Sequence, residues 1–172
     1  MNDGQDFASF SHAGVRVSAL VPETWEASEI SANAIRFFGP AHADRDDYRP
    51  TFSITLGEPE GFGEEWFREF TEASVENLRR ECNGFALRST ERFTLSSLVD
   101  VHAVWYTWES ESGLAFAQLQ ALGLMDRYHM YLINAATLLP LADLHLPVFD
   151  GVLRSLRMLP ALASDHTLYS TQ

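Results

Sequence analysis

Six histidines, one cysteine and twenty-four carboxylates are the side chains of this chain best suited to chemistry, and their spacing decides which chemistry is on offer. His102 shares a predicted strand face with Tyr106 and Trp108 in VDVHAVWYTW. That arrangement fits either a general base in an aromatic pocket or a strand histidine whose ring is satisfied in the core. His42, Asp44, Asp46 and Asp47 gather imidazole and carboxylate donors in one charged loop, but position 48 is Tyr where a calcium loop needs an oxygen ligand, and no closing Gly and Glu follow. No metal is expected there. Asp143 and His145 sit two apart before a predicted helix, where turn and capping hydrogen bonds account for them. Cys82 falls at a helix C-terminus, where the helix dipole disfavours a thiolate. The chain has no G-x-S-x-G, H-E-x-x-H, phosphate-loop or C-x-x-C motif, and Gly61-Phe62-Gly63 lacks the third glycine and preceding strand of a dinucleotide loop. No catalytic residue and no cofactor is expected.

The elements that must position these groups centre on residues 98–139. There VDVHAVWYTW, LAFAQLQAL and YHMYLINAAT read as three antiparallel strands, with ESESG and GLMDR as the reversals, because β-branched and aromatic residues alternate at period two and Gly, Ser and Asp fall at the turns. Ala103, Trp105 and Thr107 take one face, Val104, Tyr106 and Trp108 the other, so both faces call for cover. Val15, Val17 and Ala19 predict a strand that Pro22 ends, Trp25 a plug at the sheet's end, Ile35, Phe37 and Phe38 a short strand, and Phe52, Ile54 and Leu56 another with one wetter face. Phe85, Leu87 and Phe93 add one more.

A long amphipathic helix is predicted over residues 63–82, with Phe62, Trp66, Phe67, Phe70 and Leu78 on one arc and Glu65, Arg68, Glu69, Glu72, Glu76 and Arg79 on the other. Glu64 with Arg68 and Glu76 with Arg80 are the favourable pairs four apart, and Asn83-Gly84 is the expected left-handed stop. A last helix is predicted over residues 147–158, with Pro147 in its first turn and Gly151 marking a close backbone approach. Residues 1–12 and 160–172 read as tails around a single domain over 13–159.

Twelve basic against twenty-four acidic side chains give a formal net charge of −12, which repels phosphate backbones and anionic membranes. A protein partner is expected, with Glu65, Glu69, Glu72 and Glu76 as its contact surface; a homodimer through a free strand edge is compatible with this. The four Trp and twelve Phe leave room for an apolar groove. A single cysteine and the absence of a signal-like or spanning stretch point to a reducing, cytoplasmic setting.

Pro22 and Trp25 at the first turn, Arg49-Pro50 leading a strand, and Phe149 with Ser155-Leu156-Arg157 in the last helix are the residues by which the chain resembles the PsbP-like superfamily. The resemblance spans residues 13–159. It implies an α+β fold, an α/β/α sandwich around a central antiparallel sheet of six or seven strands, flanked by a long helix and a C-terminal helix. It also implies a non-enzymatic protein-interaction or chaperone-like adaptor role. The alternative, from the residues, is a small-molecule binding protein or hydrolase with a pocket at His102, Tyr106 and Trp108.

Overall fold

A computed structural model describes residues 6–42, 48–95 and 99–159. The large sheet takes its strands in the spatial order β3 (Glu26–Ser31), β4 (Ala34–Phe38), β5 (Thr51–Gly57), β9 (Met130–Leu138), β8 (Ala115–Leu124), β7 (Val99–Glu109) and β6 (Ala86–Leu95), all antiparallel. The three strands expected over residues 98–139 are its β7, β8 and β9. A second, three-stranded sheet joins β1 (Phe7–His12), β2 (Val17–Pro22) and β10 (Arg157–Met158). Two helices complete the architecture, α1 (Glu64–Glu81) and α2 (Ala142–Ser155), and the expected α+β sandwich is what forms.

The register explains the layers. On the inner face Ile35 pairs with Ile54, Phe37 with Phe52, Ile54 with Ile133 and Ala121 with Ile133, so consecutive strands present one continuous apolar surface. Val17, Ala19 and Val21 of β2 and Phe149, Val152 and Leu153 of α2 close over that surface. Phe149 is fully buried, meeting Trp25 edge-on at 6.0 Å and Phe52 at 6.3 Å. Burial of one such ring contributes about 1.5–3 kcal/mol, with the edge-to-face contact adding to it. On the outer face a smaller cluster of Phe67, Leu122 and Leu124, flanked by Trp66, Phe70 and Leu132, seats α1.

Several expectations change. Residues 7–12, read as tail, pair along their whole length with β2, because the small sheet needs an edge and Phe10 packs on Phe37 at 4.8 Å. β3 escapes pattern reading because all six of its residues are exposed. Val15 is buried in a turn before β2. α2 begins five residues before Pro147, led in by a 3-10 turn at Leu139–Leu141, so the proline sits inside the helix and removes one backbone bond there. Gly151 makes no close approach: an added Cβ would meet nothing within 4 Å. Phe62 lies outside α1 and is 55% exposed. The helix pairs form at spacing three, Glu65 with Arg68 at 4.0 Å and Glu76 with Arg79 at 2.7 Å, while Arg80 donates to Asn77. Gly84, with φ +63°, supplies the expected left-handed stop.

Candidate functional site

α1 runs lengthwise along β7. Its first turn lies beside Leu124 and Met125 at one end, and its C-terminal side reaches Tyr106 and Glu109 at the other, where the Glu109 N–H donates to the Asn83 carbonyl. Placed so, it covers the outer face over β7 and part of β8 and leaves two flanks.

On the flank toward β6 a groove of about 720 Å³ opens, with Glu69, Glu72 and Glu76 on the helix side and Thr90, Arg92 and His102 on the sheet side. No ion pair among the described residues uses Glu69 or Glu72. Arg92 donates to the buried Thr71 hydroxyl at 2.8 Å, tying β6 to the helix. His102 is 7% exposed, and its Nδ1 has no hydrogen-bond partner among the described residues. Burial, with help from the Arg92 charge, pushes its pKa below the usual histidine value, against a smaller opposing pull from Glu72. The ring is therefore neutral at pH 7.

On the flank toward β9 and β5 the packing of α1 reaches as far as Leu132. Ser53 and Thr55 of β5, Gln118 and Gln120 of β8 and Asn134 and Ala136 of β9 stay half-buried, facing outward in register across neighbouring strands. The stacked rings of Trp66 and Phe70, 4.9 Å apart, stand beside this floor, and Trp108, stacked on Phe116 at 5.0 Å and donating to Gln118 at 2.8 Å, lies at its end. Aromatic walls over an amide-lined floor make a trough that offers both apolar contact and hydrogen bonds.

His102, Tyr106 and Trp108 do not converge. They share a face of β7 as expected, but His102 lines the groove, Tyr106 is sealed against Phe85 at 5.3 Å with burial pushing its phenol pKa up, and Trp108 belongs to the trough. At about 3.3 Å per residue, His102 and Tyr106 are roughly 13 Å apart along the strand. Among the four glutamates, Glu69, Glu72 and Glu76 are brought together and Glu65 is drawn off toward Arg68. Cys82 caps α1, its N–H on the Leu78 carbonyl at 2.9 Å, and burial followed by the Glu81 charge raises its thiol pKa. Asp143 lies in the first turn of α2, and His145 is bound to the Thr137 hydroxyl at 2.7 Å. Of the proposed metal loop, Asp44, Asp46 and Asp47 lie outside the described residues, as do residues 160–172. No group of three or more metal-ligating side chains forms among the described residues.

Sequence reasoning missed one histidine cluster. His129 Nδ1 lies 2.9 Å from both Asp126 oxygens and its Nε2 3.2 Å from the Arg16 guanidinium. Guanidinium nitrogens only donate, so Nε2 accepts and Nδ1–H donates to Asp126. Burial raises the Asp126 carboxyl, but hydrogen bonds from His129 and the Tyr128 N–H outweigh it and hold the pKa below the usual value. With both ring nitrogens occupied, the cluster is a clamp between the small sheet and the β8–β9 turn. The trough was also missed, although Gln118 and Gln120, alternating with Leu119 and Ala121, were its signal: a polar row on a central strand marks a face that no element covers.

No protein-family model and no characterised protein sequence matches the chain. Solved structures do. LpqN of Mycobacterium tuberculosis, described as involved in cell envelope biogenesis, superposes with a TM-score of 0.65 at 14% identity, over 92% of this chain and 88% of its own. The Saccharomyces cerevisiae Ran-binding protein Mog1p gives 0.60 at 9% identity, over 91% and 97%. Cyanobacterial PsbP from Synechocystis gives 0.58 at 13% identity, over 92% and 96%. The chain has the PsbP/Mog1 fold, as the resemblance implied. No helix among the described residues is long and apolar enough to cross a membrane.

Proposed function

We propose that this chain is a non-catalytic protein-interaction module of the adaptor type, which holds a segment of a protein partner in the outer trough beside α1. The uncovered face carries this reading. A central sheet whose outer side chains are half-buried, amide-rich and walled by Trp66 and Phe70 is built to be covered, and no described element covers it. Across α1 from the trough, the helix residues Glu69, Glu72 and Glu76 line the acidic groove and favour a partner with positive charge. That a protein of this fold, Mog1p, is a Ran-binding protein supports a protein ligand, and among the described residues Tyr106 lies in the core and His129 is held at both ring nitrogens.

The test is site-specific photo-crosslinking in the source cells, with the reactive group at Gln120 or Asn134 and a control at Ser9 on the small sheet. A discrete protein adduct from the trough positions, absent from Ser9 and lost when Thr55→Arg fills the floor, is expected. Adducts of equal yield at all three positions would overturn the proposal.

A further inference from the structure

We infer that the groove between α1 and the β6–β7 edge receives the guanidinium group of an arginine side chain from a protein partner. This rests on the protein-interaction reading above and assigns a chemistry to a second part of that surface.

Glu69, Glu72 and Glu76 stand three and four residues apart on one side of α1, a spacing at which like charges repel by a few tenths of a kcal/mol per pair. Glu76 is relieved by Arg79 at 2.7 Å, but Glu69 and Glu72 face the groove and take part in no ion pair among the described residues. The opposite wall contributes the second observation. His102 is more than nine-tenths buried and its ring lines the same groove, while its Nδ1, itself closed to solvent, has no hydrogen-bond partner among the described residues, so no protein group holds the ring in one tautomer from that side. A neutral imidazole keeps one of its two nitrogens as an acceptor and adds no competing positive charge to the groove. Carboxylates on one wall and a neutral acceptor on the other suit a group that is cationic, planar and rich in donors. Arg92, which also lines the groove, is turned to Thr71 and repels a second guanidinium from its own end, which leaves the unpaired Glu72 carboxylate as the principal contact for the incoming group.

The inference is tested by titrating the isotopically labelled full chain with the peptide acetyl-Ser-Arg-Gly-Arg-Ser-amide at near-physiological salt, following backbone amides and the His102 ring by NMR. The peptide with citrulline in place of both arginines keeps the shape and removes the charge. Saturable shifts at Thr90, Arg92 and the His102 ring are expected with arginine only, and Glu72→Gln weakens the apparent affinity about tenfold while Glu81→Gln does not. Equal shifts with citrulline, or arginine shifts spread over all exposed acidic positions and unchanged in Glu72→Gln, would overturn it. The two readings separate cleanly. A trough adduct that survives in a chain whose groove ignores arginine removes this inference and keeps the adaptor, whereas arginine binding without any trough adduct does the reverse.

Discussion

Replacing Gly151 by alanine should make this protein more stable, and the structure says by how much. The residue lies within α2 on the exposed side, in helical conformation, and a Cβ built there meets no atom within 4 Å. The substitution therefore carries no steric cost. What remains is the difference in helix propensity, about 1 kcal/mol in favour of alanine, much of it lost freedom of the unfolded chain. In a protein of this size that corresponds to a rise in Tm of about 2–4 °C. Equilibrium urea unfolding followed by far-ultraviolet circular dichroism would show a higher midpoint at unchanged slope. Gly14→Ala provides the contrast: its Cβ would lie 1.9 Å from the Ala32 carbonyl oxygen, backbone against backbone, so the β1–β2 turn must move. A loss of about 2 kcal/mol or more is expected from such a clash. A Gly151→Ala protein no more stable than the parent would refute the placement of α2 and the free space around it.

Stability should also fall between about pH 7 and pH 5. Burial lowers the pKa of both His102 and His145, so the folded state resists protons that the unfolded histidines accept near pH 6.5. The stabilisation from keeping them neutral is complete above that value and is lost as pH drops through the lowered folded values. Urea midpoints at pH 7.5 and 5.0 would reveal it, and His145→Asn should flatten the slope; a midpoint that rises on acidification would contradict the assignment. Arg49 should not be replaceable by lysine. Its Nε donates to the Gly39 carbonyl at 2.6 Å, one terminal nitrogen to Phe38 at 3.2 Å and the other to Glu26 at 2.9 Å, a three-way fork that an ammonium cannot reproduce. Arg49→Lys should cost about 1–2 kcal/mol in urea unfolding, with Glu26→Gln costing much less because that carboxylate is exposed.

Where apolar periodicity and burial coincide, the sequence is readable: β5 alternates Phe52, Ile54 and Leu56 inward, and the strands over residues 98–139 fall where alternation puts them. Where an element is held by its neighbours instead, local pattern is silent. β3 buries nothing and exists because β4 offers it an edge; β1 exists because Phe10 finds Phe37 and its backbone finds β2. The start of α2 was misplaced for a related reason. Proline is best tolerated in a first turn, yet here packing of Ala142 and His145 recruits the preceding turn and outweighs the bond that Pro147 removes. The acidic groove was half legible. Helical spacing brought Glu69, Glu72 and Glu76 to one side, but that His102 stands opposite them depends on how α1 lies along β7, which no local pattern encodes.

β6, the last strand of the large sheet among the described residues, bears on what kind of partner the surface can take. In an antiparallel ladder every second residue points its N–H and C=O at the neighbour, so a strand pairing with its own copy must be centred on a residue. From Ser89 to Leu95 β6 keeps one regular register with β7, and the middle of that run is Arg92, with Glu91 beside it. Centring on Arg92 sets two guanidiniums opposite each other, which is destabilising in a cross-strand position, and centring on Glu91 sets two carboxylates opposite each other, each also bound to its own Arg154 at 2.6 Å. Charges placed so are a defence against edge-to-edge association of identical chains. The same edge borders the acidic groove through Thr90 and Arg92, so this side of the molecule disfavours its own copy while keeping Glu69 and Glu72 open to a chain of different charge. A heterologous partner satisfies both constraints at once.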